Sequence, residues 1–100
     1  MSNEIIQSLL IEFKERMKLS DDEDSNLTRI LLTSIEDLRS KCGDYDLSNL
    51  RFKELVFERS RYVYNDALEF FNTNFISHIL DLAIPKELDR RLEGETNETE

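Results

Sequence analysis

Gly43, Pro85 and Gly94 are the only strong helix breakers in one hundred residues. Tight β turns draw on glycine and proline at set positions, so a chain this poor in both is driven toward helices. The apolar residues return every three or four positions, the period of a helix with one buried face. Apolar residues make up 39% of the chain and charged residues 35%, enough of each to give every helix a core side and a wet side. One hundred residues build one ordinary domain with a modest core.

From Glu4 to Lys18, the residues Ile5, Ile6, Leu9, Leu10, Phe13 and Met17 form a stripe opposite Glu12, Glu15, Arg16 and Lys18. This spacing predicts a first amphipathic helix with Asn3 as its N-cap. A second stripe runs through Leu27, Ile30, Leu31, Ser34, Ile35, Leu38 and Cys42 and stops at Gly43, where a left-handed C-cap is easiest. Residues 43–49, "GDYDLSN", supply the turn, with Ser48 or Asn49 capping the next helix. From Leu50 to Phe71 the set Phe52, Leu55, Val56, Tyr62, Val63, Ala67, Phe70 and Phe71 keeps helical period and predicts the longest helix. Arg59 interrupts it, with a stem long enough to lie along the core edge.

"LSDDEDSNL", residues 19–27, lies between the first two stripes and admits three readings: a metal loop, a partner surface or a helix start. An EF-hand loop needs glycine at its sixth position and glutamate at its twelfth. Counting from Asp22 puts Leu27 and Thr33 there, and counting from Asp21 puts Asn26 and Leu32, so neither register closes a calcium cage. Ser20 and Glu23 instead have the spacing of a capping box, and Asp21, Asp22, Glu23 and Asp24 would complement the positive end of a helix dipole. The run is read as the start of the second helix, with no metal site.

"FFNTNF", residues 70–75, breaks the rhythm, and "ISHILDLAI" after it has an ambiguous period that leans toward helix. Pro85 restricts Ile84 to extended conformations and marks a boundary. Beyond it "KELDRRL" allows a helical turn or two, and residues 93–100 carry no apolar anchor and are expected to be disordered in the free protein. The fold expected is all-α: a small bundle of three main helices, a shorter carboxy-terminal segment that is helical or extended, and a disordered acidic tail.

Acidic residues outnumber basic ones by 22 to 13, a net charge of −9. That balance opposes adhesion to nucleic acid or anionic lipid. The basic residues Arg51, Lys53, Arg59 and Arg61 alternate with Glu54, Glu58, Asp66 and Glu69, which argues for specific pairing over a DNA footprint. No run of about eighteen apolar residues suggests a membrane span, and Met1 to Ile6 has no export-signal pattern. Cys42 is the single cysteine, which fits a reducing compartment and a small buried side chain.

Nothing in the sequence points to catalysis. His78 is the single histidine and is read as a partly buried structural residue. Glu36 and Asp37 point about a hundred degrees apart on a helix, and Glu54 and Glu58 lie beside Arg51 and Arg61 as a solvated ion-pair surface. No phosphate loop or zinc helix is present, so no enzyme activity, cofactor or metal is expected. Tyr62, Phe70 and Phe71 fit the core, whereas Tyr64 and Phe75 fit it less well and are candidates for an interface, where aromatic side chains are favoured.

The order of segments carries a resemblance: a short amphipathic helix, then "LSDDEDSNLTRILLTSIEDLRSKCG", then "NLRFKELVFERSRYVYNDALEFFNTNF", strongest over Arg59 to Phe75. It resembles the head-tail connector (adaptor, or head completion) proteins of long-tailed bacteriophages, of the type infecting Gram-positive bacteria, over roughly residues 4–84. The resemblance implies a connector domain at 1–84 and a carboxy-terminal extension at 85–100, partly disordered when free. It implies assembly with itself into a ring, of twelve copies in the virion, between the portal protein and a stopper or tail-completion protein. The site would be the head-tail junction of the virion, reached by assembly in the host cytoplasm, with DNA passing through the channel without sequence-specific binding. A provisional role in portal docking falls on Lys86 to Leu92, so the candidate interface is Tyr64, Phe75, Lys86, Glu87, Leu88, Arg90, Arg91 and Leu92. Channel-facing carboxylates would repel the DNA and let it slide. The competing reading is a small acidic adaptor or inhibitor that binds one basic protein.

Overall fold

The computed structural model describes residues 2–20 and 23–98, with 94–98 as backbone alone. It contains α1 (Asn3–Met17), α2 (Asp24–Cys42), α3 (Leu50–Tyr64) and α4 (Phe71–Glu98), with a short 3-10 turn at Leu68–Phe70 leading into α4. No strand occurs among the described residues, in keeping with the all-α class. The loose tail expected over 93–100 is not seen where it is described: α4 is helical through Glu98, and 99 and 100 lie outside the described residues.

α1 starts one residue earlier than its expected cap allows. The Ser2 hydroxyl, not Asn3, accepts from the Ile5 N–H at 3.3 Å. Lys18 closes the helix in the left-handed region at φ 56°. α2 begins at Asp24, so the capping box expected between Ser20 and Glu23 does not form, and Glu23 holds the N-cap position without a side-chain cap bond. The reason is competition: Glu23 Oε2 accepts from the Tyr64 hydroxyl at 2.9 Å, and Asp24 Oδ1 from Lys14 Nζ at 2.7 Å. Asp21 and Asp22 lie outside the described residues.

Gly43 ends α2 as expected, but with φ 109° and ψ −176°, a region open to glycine and closed to L side chains, in place of the left-handed cap. Its N–H still reaches the Arg39 carbonyl at 3.0 Å. A Cβ here would lie 2.9 Å from both Cβ and Cγ of Lys86, so α4 approaches this turn only because the side chain is absent.

The third helix is shorter than its period suggests. Asn49 caps α3 by accepting from the Phe52 N–H at 3.0 Å, but the helix ends at Tyr64, seven residues before Phe71. Asp66 turns left-handed at φ 57°, a conformation Asn and Asp tolerate better than most residues, and the Ala67 N–H folds back to the Tyr62 carbonyl at 2.8 Å. The longest helix is α4, whose only non-helical residue is Phe75 (φ −118°, ψ 17°), within the "FFNTNF" stretch that broke the rhythm. Pro85 sits inside α4, so neither the extended Ile84 nor the boundary expected there occurs.

The core joins all four helices. Phe13, Leu27, Leu31, Leu38, Phe52, Val56 and Phe71 are each at most 1% exposed. Phe57, absent from the sequence-derived core, is buried as well, stacked on Phe13 with Arg16 over its ring at 4.8 Å. Phe70, expected inside, is 58% exposed, because the turn after Tyr64 rotates it outward. Between α2 and α3 lies a buried polar group. Arg59, far from lining the core edge, is buried, its Nη1 donating to Ser34 Oγ at 3.0 Å and its Nε to Asp37 Oδ2 at 3.1 Å. The Ser60 hydroxyl donates to Ser34 Oγ at 3.1 Å, and both serines are fully buried.

Two substitutions test this arrangement by urea denaturation. Arg59→Ala should cost about 2 kcal/mol, and Arg59→Met, which keeps the stem, clearly less; equal losses would assign the effect to the hydrogen bonds alone. Gly43→Ala should cost about 1–3 kcal/mol through φ strain and its clash with Lys86, and an unchanged midpoint would contradict the close approach.

Candidate partner interface

α4 is apolar on two opposite sides. Toward the core it places Phe71, Ile79 and Leu82, each at most 5% exposed. On the other side Ile76, Leu80, Ile84, Leu88 and Leu92 recur every fourth residue and are 45–60% exposed. At about 100° per residue, Ile84 points roughly 160° from Leu82, so the middle of the outer ladder faces away from the bundle and its ends, turning about 40° per rung, reach round the flanks. A helix serving only its own core keeps that side polar, and a contiguous exposed apolar patch marks a surface for another molecule.

The helix is held where it leaves the body. The Tyr45 hydroxyl donates to the Leu82 carbonyl at 2.7 Å, and Lys86 Nζ lies 4.7 Å over the Tyr45 ring. Pro85 frees the Asp81 carbonyl of its usual partner four residues on. Asp81, Ile84 and Pro85 are all exposed, so solvent reaches this side of α4. Tyr45 fastens the neighbouring carbonyl and keeps the helix running past the proline.

The residues singled out from sequence do not form one surface. Tyr64 bonds Glu23 at the start of α2, whereas Lys86 packs on Gly43 at its end, roughly 30 Å away along a helix of that length. Phe75 is half-buried against Tyr62, Phe71 and His78, with ring centroids 5.1–5.7 Å apart, and belongs to the internal aromatic cluster. His78 itself is exposed, not partly buried, because it falls on the wet flank of α4. Glu87, Arg90 and Arg91 form one exposed group, with Arg90 Nη2 at 2.6 Å and Arg91 Nε at 3.2 Å from Glu87 Oε1. Those arginines hold the Glu87 carboxyl below the usual range. Leu88 and Leu92 lie on the outer ladder, which Ile76, Leu80 and Ile84 extend beyond the sequence-derived set. The i+4 recurrence was present in the sequence, hidden by the second stripe of Ile79 and Leu82 that blurred the period.

A cleft of about 440 Å³, lined by Arg51, Glu54, Leu55, Glu58, Phe75, His78 and Asp81, lies between α3 and α4. Two of its three carboxylates are engaged: Arg16 binds Glu54 through two hydrogen bonds of 3.0 and 2.9 Å, and Arg61 binds Glu58 at 2.6 Å. Among the described residues no group of three or more His, Cys, Asp or Glu side chains is placed to hold a metal ion, and no helix is long and apolar enough to cross a membrane. Comparison with protein-family models, curated proteins and solved structures returns no match.

The α4 fastening carries a pH signature. Burial pushes the Tyr45 hydroxyl above the usual tyrosine range, helped by Cys42 and Asp89. A group whose folded value is raised contributes stability that is complete below its unfolded value, about pH 10, and is lost as pH rises through the folded value. Tyr45→Phe should therefore lower stability by about 1 kcal/mol at neutral pH, from the lost bond to Leu82, and make the alkaline fall shallower. Urea midpoints between pH 8 and 11 measure both, and an unchanged alkaline slope would assign it to Tyr64, which Glu23 also raises.

Proposed function

We propose that the chain is a structural connector that assembles at the head-tail junction of a long-tailed bacteriophage, between portal and stopper or tail-completion proteins. The observation that carries this reading is the outer ladder on α4, an apolar surface on a helix fixed to the body at Leu82 and Lys86. A binding surface of that kind suits a protein whose work is assembly, not bond-making. The resemblance of residues 4–84 to phage connectors supplies the setting: a ring around a DNA channel, with Lys86 to Leu92 toward the portal. The net charge of −9 fits a channel that repels DNA. The same charge favours the second reading, an acidic adaptor held by one basic protein.

Immunogold electron microscopy of source virions, with an antibody to this protein, separates the two. Label at the neck is the expected result. Bare particles, with the protein found only in a soluble one-to-one complex with a basic protein, would reject the connector.

A further inference from the structure

We infer that the cleft between α3 and α4 binds a free α-amino acid with an apolar or aromatic side chain, its carboxylate on Arg51 and its ammonium group on Asp81. This goes beyond the connector reading and does not depend on it.

The two helices run antiparallel along the cleft. Tyr45, just before α3, stacks on Phe52 with ring centroids 5.8 Å apart and bonds the Leu82 carbonyl, so the start of α3 meets α4 at Leu82. Farther along, Tyr62 packs edge-on against Phe71 and Phe75, both at 5.7 Å. Arg51 and Asp81, the residues before Phe52 and Leu82, therefore stand at one end of the cleft, one on each wall. They do not close into an ion pair. Neither side chain bonds any described residue, and no nitrogen of Arg51 lies within 4.0 Å of an oxygen of Asp81. Glu54, three positions along the helix from Arg51, cannot satisfy it either, because Arg16 takes both its oxygens.

The charges of the cleft balance. Arg16 and Arg61 offset Glu54 and Glu58, which leaves one open cation, Arg51, and one open anion, Asp81. A ligand carrying one sign alone meets repulsion from one of them, whereas a molecule with both signs meets a partner for each. The guanidinium fork of Arg51 matches a carboxylate through two parallel bonds. α3 has no acidic residue in its first turn, where Arg51 adds to the positive end of the helix dipole, so the anionic group belongs there. Ionised Asp81 accepts the N–H donors of an ammonium group.

The apolar floor fixes the shape of the molecule. Leu55 lies one turn in from Arg51, about 6 Å along α3, and Phe75 about 9 Å from Asp81 along α4. Leu55 is buried and Phe75 half-buried beneath the cleft. Both charged groups thus sit at one end and the apolar body extends toward Phe75, as in an α-amino acid. An aromatic side chain would meet the Phe75 ring in the manner of the rings already around it. The volume of about 440 Å³ is that of a small-molecule site.

Titration of the full chain, labelled with 15N, against L-phenylalanine tests this through its amide NMR shifts. Saturable shifts grouped on residues 51–58 and 75–81 are expected, with affinity in about the millimolar range. N-acetylphenylalanine lacks the ammonium, phenylalanine amide the carboxylate and glycine the apolar body, and each should bind at least about tenfold more weakly. Arg51→Gln and Asp81→Asn should lose as much while the rest of the spectrum stays unchanged, since both side chains are exposed and bond nothing in the fold. No saturable shift, shifts centred outside the cleft, or equal binding by any control or either variant would overturn the inference. Neck labelling of virions is unaffected by any of these results.

Discussion

α2 and α3 meet through two serines, and the rest of the molecule is arranged around that meeting. Ser34 and Ser60 are fully buried and 3.1 Å apart through their hydroxyls, so the two helices approach closely at this point. Arg59 brings a charge into the same interface. A buried guanidinium is costly unless its donors are matched, and here Ser34 and Asp37 on α2 match them. A slip of α3 by one turn would strand the arginine and separate the serines, so the polar group holds one register that apolar contacts alone would hold less firmly. With that register set, Arg16 of α1 reaches Glu54 and Glu58 on α3, and α4 lies across the end of α2, where Cys42 Sγ is 3.8 Å from the Ile79 carbonyl.

The helical class and most of the core were legible because the signals were periodic and local. Leu27, Ile30, Leu31, Ser34, Ile35, Leu38 and Cys42 are all buried, as their spacing requires. What failed depended on partners distant in sequence. Glu23 has the local chemistry of a capping box, but the Tyr64 hydroxyl, forty-one positions away, claims its carboxylate. Asn65 and Asp66 were a readable stop signal that the strong apolar period on either side outweighed. The depth of Arg59 could not be read at all, since it depends on which α2 residues α3 lands against.

α4 shows why a proline and an ambiguous period were misjudged together. Proline ends a helix when nothing else secures the turn before it. Here Tyr45 bonds the Leu82 carbonyl and Lys86 covers the Tyr45 ring, while the base of the Lys86 side chain lies too close to Gly43 for a Cβ there. These contacts come from the loop between α2 and α3 and are invisible to a window along α4. The ambiguous period had a different origin. One stripe of apolar residues faces the core and a second faces out, and summing the two erases the asymmetry by which a surface helix is recognised. For such a helix a weak period is information, since it marks two apolar faces, one buried in the core and one exposed.

The size of the outer face bears on how such a protein could assemble. About 400 Å² of apolar area at about 25 cal/mol per Å² gives roughly 10 kcal/mol of gross stabilisation, against a cost of association estimated at about 4–15 kcal/mol. A single contact is therefore close to balance, and the repulsion between chains of net charge −9 moves it further toward dissociation at low salt. Closure changes the balance, because a subunit entering a ring is held on two sides while giving up its translational freedom once. A template that gathers subunits would have the same effect by raising their local concentration. Marginal pairwise strength of this kind favours association on a template over association in dilute solution.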